Sequence, residues 1–148
     1  MTKKLNLKIV TPERLVLEEL VDYVSIPTKQ GEITILPDHI PIIAELSSGD
    51  VVGCVNTECI PMAVVGGFVE VKKDEKGNTV VAILADFAEH VGELTDESIA
   101  RAKARAEELR KEMENRGHVD FEHFEAELER SLTRVKIADK WRTRKYRK

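Results

Sequence analysis

From Leu5 onward, apolar and polar residues alternate. Leu5, Leu7 and Ile9 fall on one face of an extended chain and Asn6 and Lys8 on the other, the period-two signature of a half-buried strand. The pattern returns in short stretches over residues 14–20, 21–27, 32–36, 41–46, 51–55, 58–65, 68–72 and 79–85. Turn signals separate them: Thr11-Pro12-Glu13, residues 28–31, Pro37-Asp38-His39, residues 47–50, Asn56-Thr57, and the charged loop 73–78. Short strands punctuated this often predict an antiparallel sandwich or barrel. Gly66-Gly67 reads as a bulge or a close backbone approach.

The period changes after Thr95. Ile99, Ala102, Ala106, Leu109 and Met113 step by three and four, which places them on one stripe of a helix. Thr95 is the expected N-cap, with Asp96 and Glu97 at the positive end of the helix dipole. Gly117 ends this helix as a C′ glycine does, and Asp120 caps a second. The second stripe runs through Phe121, Phe124, Leu128, Leu132, Val135 and Ala138. Two such stripes predict an antiparallel helical hairpin. Its first stripe is thin because two of its positions are alanine. At about 25 cal/mol per Å² of apolar burial, the hairpin alone has a small margin. This predicts an element able to leave the body, against the alternative of one permanently docked. All five prolines precede residue 62, as suits helices that must stay unbroken.

Charge divides the chain again. Residues 1–94 carry 8 basic and 15 acidic side chains, residues 95–129 carry 6 and 11, and residues 130–148 carry 9 and 1. A net charge of −4 argues against a general nucleic-acid binder, and only the basic end would seek an anionic partner. A solvated terminus is the plain reading of that end. Nucleic acid would ask for more aromatic residues than Trp141 and Tyr146, and a membrane surface for a larger apolar face. An acidic protein surface fits best.

No apolar run is long enough to span a membrane, and the first residues lack the pattern of a signal or transit segment. The expected compartment is therefore the one of synthesis. In a reducing cytosol, Cys54 and Cys59 are expected as reduced core thiols, with a disulfide across the Asn56-Thr57 turn as the alternative.

Candidate chemistry is sparse. His118 and His123 straddle a helix start with no zinc-ligand spacing, so no metal site is expected. Neither a nucleophile elbow nor a phosphate loop occurs. Carboxylates of the tail, such as Glu107 beside Lys111, pair with cations at helical spacing rather than with one another. No self-sufficient catalytic set is present.

Several segments, in order, resemble the epsilon subunit of bacterial F-type ATP synthase. Gly31-Glu32-Ile33-Thr34-Ile35-Leu36-Pro37-Asp38-His39-Ile40-Pro41-Ile42-Ile43 is similar to its signature loop. Val65-Gly66-Gly67-Phe68-Val69-Glu70-Val71 is similar to its glycine-pair strand, and Ala85-Asp86-Phe87-Ala88-Glu89 to its last-strand exit. Arg101-Ala102-Lys103 opens its first C-terminal helix, and the opening strand before Thr11-Pro12-Glu13 also fits.

The resemblance implies an α+β, mainly β, fold: a ten-stranded antiparallel β-sandwich over residues 1–92 and a two-helix antiparallel hairpin over 93–148. It implies a noncatalytic rotor subunit that binds the gamma subunit and the ring of c subunits, coupling proton-driven rotation to ATP synthesis. Gly31, Glu32, Asp38 and His39 match positions at the ring and gamma contacts. The hairpin would meet the alpha and beta subunits and block ATP hydrolysis, with Arg130, Arg134, Lys136, Lys140, Arg142, Arg144 and Lys145 as the inhibitory contact. The implied location is the cytoplasmic face of the bacterial cell membrane, reached only through the complex.

Some members of the family bind ATP in the hairpin through an Ile/Leu-Asp-x-x-Arg-Ala motif. Arg101-Ala102 is present here, but Glu97 and Ser98 replace the first two residues. Asp96 lies two residues early, about 200° around a helix. The expectation is a degenerate nucleotide site at Arg101 with weak or no ATP binding. A sandwich adaptor or an ATP sensor outside the synthase is the rival reading.

Overall fold

The computed structural model describes residues 3–115, 121–142, 144 and 146. Ten strands come first: β1 (Leu5–Val10), β2 (Leu15–Val21), β3 (Tyr23–Thr28), β4 (Gly31–Ile35), β5 (Ile42–Glu45), β6 (Gly49–Val55), β7 (Glu58–Val65), β8 (Phe68–Lys73), β9 (Thr79–Leu84) and β10 (Phe87–His90). They form two five-stranded sheets. The first has the order β2-β1-β9-β8-β5 and the second β10-β7-β6-β3-β4. All pairings are antiparallel except that of β1 with β9, which run parallel.

Alternation along the strands builds the core. Leu5, Leu7 and Ile9 of β1 are fully buried, facing a layer that includes Val24, Ile26, Met62 and Val64 of the other sheet. Each such side chain contributes about 1.5–3 kcal/mol by leaving water. β7 departs from alternation and is buried on both phases from Ile60 to Val65. Met62 and Val64 enter the sandwich core, whereas Ala63 joins a second cluster with Val91, Ile137 and Trp141. The second face is covered because the helices lie there.

The glycine pair is a close backbone approach. Gly67 has φ +103°, and a Cβ there would stand 1.9 Å from the carbonyl oxygen of Leu84. Cys54 and Cys59 face each other directly across the β6–β7 hairpin and form a disulfide. The expectation of reduced thiols is corrected: cross-strand register brings the two sulfurs together.

A short 3₁₀ turn, Val91–Glu93, leads into α1 (Asp96–Asn115) and α2 (Phe121–Trp141). Thr95 caps α1: its hydroxyl oxygen accepts from the Ser98 backbone N–H at 3.1 Å. Ile99, Ala102, Ala106 and Leu109 are buried as the stripe predicts. Gly117 and Asp120 lie outside the described residues. The stripe on α2 is corrected. Ala138 is buried as the stripe predicts, but Leu132 is 39% exposed, and Ser131, Thr133, Ile137 and Trp141, which lie off the stripe, are buried. α2 meets both α1 and the sandwich, so its covered arc is wider than a single stripe.

Candidate docking surfaces and the helix seat

The turn residues fall into two separate sets. Gly31 opens β4 at the turn from Thr28, with φ +115°. Thr28 at this end bridges to Leu46. Asp38 and His39 follow the other end of β4, and four residue steps of strand put the two ends about 13 Å apart. Asp38 has φ +68°. Its backbone N–H donates to Thr79 Oγ1 at 2.7 Å, and its carboxylate meets Lys3 at 2.8 Å and Lys73 at 3.4 Å. Hydrogen bonds from the two lysines hold the Asp38 carboxyl below its ordinary range. His39 Nδ1 lies 2.7 Å from the Ile40 carbonyl, so that ring nitrogen carries the proton. Leu36 and Ile40 flank it, 55% and 70% exposed. The structure therefore keeps Gly31 and Glu32 apart from Asp38 and His39.

One surface was missed by sequence reasoning. Leu15 pairs with Val10, Val10 with Leu84, Leu84 with Phe68, and Phe68 with Glu45. These pairings trace one row across every strand of the first sheet. Leu15, Leu84 and Phe68 are about half exposed. Val10 and Leu84 lie outside the buried phase of their strands. The available signal was an apolar residue on the polar phase at four neighbouring strand ends.

The second sheet carries the helices. Asp50 and Glu89 are both direct cross-strand partners of Ala63, so the three form a row over β6, β7 and β10. Arg134 donates to Glu89 at 2.9 Å and lies over the Phe87 ring at 4.8 Å, with Arg130 at 5.4 Å. Lys140 reaches both oxygens of Asp50, at 3.0 and 2.8 Å, and the Trp141 indole N–H donates to the same carboxylate at 2.9 Å. Ser48 donates to Glu129. Among the other basic residues, Arg142 pairs with Asp139 at 3.6 Å, Arg144 stacks on Trp141, and Lys136 is exposed. Lys145 lies outside the described residues.

Arg101 lines a groove between the helices and β10, together with Ser98, Arg105, Glu127, Arg130 and Arg134. Asp96 instead lines a hollow with Lys103 and Arg142, so it and Arg101 face different spaces. Arg105 binds both Glu127 oxygens, at 2.6 and 3.2 Å. These bonds push the Glu127 carboxyl below its ordinary range and raise the Arg105 guanidinium. No helix among the described residues is long and apolar enough to cross a membrane.

A two-sheet sandwich carrying a helical pair on one face matches a known architecture. Residues 4–91 match the family model of the ATP synthase delta/epsilon chain β-sandwich domain. The ATP synthase epsilon chain of Syntrophobacter fumaroxidans is 37% identical over 95% of this chain and 99% of its own length. That of Dehalococcoides mccartyi is 40% identical over 94% and 95%. In fold, the chain is similar to one in the Euglena gracilis mitochondrial ATP synthase OSCP/F1/c-ring structure, with a TM-score of 0.65, 22% identity, and coverage of 88% of this chain and 78% of that one.

The chain belongs to the ATP synthase delta/epsilon family. Its sequence aligns along nearly its whole length with bacterial ATP synthase epsilon chains.

Proposed function

We propose that the chain is a noncatalytic rotor subunit with two working surfaces. The sandwich binds the gamma subunit and the c-subunit ring. The helices, when released from the sandwich, meet the alpha and beta subunits and restrain ATP hydrolysis. The subunit is peripheral, on the cytoplasmic face of the bacterial membrane, and its membrane association runs only through the complex.

The observation that carries the docking reading is the apolar row Leu15–Val10–Leu84–Phe68. A contiguous apolar row, exposed at three of its four positions, supports a protein partner. The turn bearing Leu36, Asp38, His39 and Ile40 offers a second, smaller contact. The basic side chains of α2 support the inhibitory reading, since their present partners are carboxylates that an acidic partner surface can replace. Arg101 without an aspartate on its side of α1 supports weak or absent ATP binding.

Co-purification tests the reading. Gamma should come down with the full-length chain and be lost with Phe68→Asp. Capture of neither gamma nor the ring would favour an adaptor acting outside the synthase.

A further inference from the structure

The row Asp50–Ala63–Glu89 and the face of α2 above it match in spacing. Neighbouring strands lie about 4.8 Å apart, so the two carboxylates stand roughly 10 Å apart. A helix rises 1.5 Å per residue, so Arg134 and the Lys140-Trp141 pair, six and seven residues on, are separated by about 9–10.5 Å. Ile137 falls midway between Arg134 and Lys140 on α2, as Ala63 falls midway along the row, and the two belong to one buried cluster. Sheet and helix are thus in register at three points. Of these, Asp50 is the most committed: it is 8% exposed and takes two donors from adjacent residues of α2.

We propose that Asp50 is the latch that holds the hairpin on the sandwich, and that it competes with the inhibitory partner for Lys140. The inference rests on the reading that the released hairpin restrains hydrolysis. Lys140 cannot serve both carboxylate surfaces at once. When α2 leaves, Lys140 and the indole lose an acceptor, and Asp50 exchanges fixed donors for water. Strength at this one point therefore sets the balance between the docked and the released hairpin. Ala63 is a positioning residue: a larger side chain there would lift Ile137 and draw Lys140 and Trp141 away from Asp50.

Trp141 is the sole tryptophan and is 6% exposed in its seat, so its emission reports release directly. In the full-length chain, Asp50→Ala should raise the released population at least about tenfold, because two charge-assisted hydrogen bonds are lost. The readout is a red-shifted Trp141 emission accessible to acrylamide. Asp50→Asn keeps an acceptor for the indole and should release less. Glu18→Gln, an exposed carboxylate on the opposite sheet, should change nothing. Should the Asp50 variants unfold the sandwich, Lys140→Gln removes the same ion pair from the helix side.

In the assembled complex, the Asp50 variants should lower ATP hydrolysis below that of the unaltered enzyme. Release of Trp141 with unchanged hydrolysis would leave the latch standing and overturn the inhibitory reading. Trp141 as buried in Asp50→Ala and Lys140→Gln as in the unaltered chain, or an equal shift in Glu18→Gln, would overturn the latch.

Discussion

Arg105 on α1 grips both carboxylate oxygens of Glu127 on α2, at 2.6 and 3.2 Å. This pair ties one helix of the hairpin to the other, independently of the seat on the sandwich. Glu127 is held below its ordinary range chiefly by the Arg105 hydrogen bonds. A depressed folded value adds stability in full above the unfolded glutamate value of about 4.3, and that stability is lost as pH falls through the folded value. The pair is partly exposed, so its contribution is modest. Titration of the Glu127 carboxyl by NMR should give a value below the ordinary one, and Arg105→Gln should return it to the ordinary range. An unchanged titration in that variant would contradict the assignment.

The two faces of β9 differ in burial, and the proposed docking row lies on the exposed one. Ile83 is fully buried and Leu84 is 55% exposed. Ile83→Ala should destabilise the chain by about 2–5 kcal/mol in denaturant unfolding. Leu84→Asp and Phe68→Asp should leave stability within about 0.5 kcal/mol while abolishing capture of gamma. Equal losses of stability from both faces would contradict the assignment of the row as a docking surface.

Gly67 should accept no side chain. Its φ of +103° and the Leu84 carbonyl 1.9 Å from an ideal Cβ make Gly67→Ala more costly than the roughly 1–3 kcal/mol of backbone strain alone. Gly77 has φ +80° but open space around it, so Gly77→Ala should cost only the strain. Thermal melting of the two variants compares them, and equal midpoints would argue against the close approach.

Reversal of charge at Arg142, Arg144 and Lys145 should relieve inhibition of hydrolysis in the complex, and less so at high salt, where screening already weakens the contact. Arg142 is exposed and pairs within α2 with Asp139, so reversing it alone should leave Trp141 seated, whereas Arg144 lies over the Trp141 ring. No relief at any ionic strength would point to a steric block.

Much of the sandwich was legible because period-two burial is written directly into Leu5, Leu7 and Ile9 and their counterparts. β10 was not, since its four residues Phe87-Ala88-Glu89-His90 are too few to display a period and follow β9 closely. Its place came from the family resemblance. α1 was read correctly because it buries one narrow stripe. The stripe on α2 covers only part of its buried arc, because Ile137 and Trp141 answer to the sheet, a neighbour that helical periodicity does not announce. The partners of Arg134 and Lys140 were hidden for the same reason: Glu89 and Asp50 lie 45 and 90 residues away, joined only by the common cross-strand partner Ala63. The apolar row was hidden in another way, since it exists only once four strand ends are placed side by side.

Under the proposed function, the sandwich docks on the rotor and the hairpin brakes hydrolysis. The deciding measurement is the ATP hydrolysis rate of the complex assembled with the chain truncated after Gly92, beside the full-length chain. The account predicts that the truncated chain still assembles with gamma and that hydrolysis is faster. Assembly with an unchanged rate would contradict it.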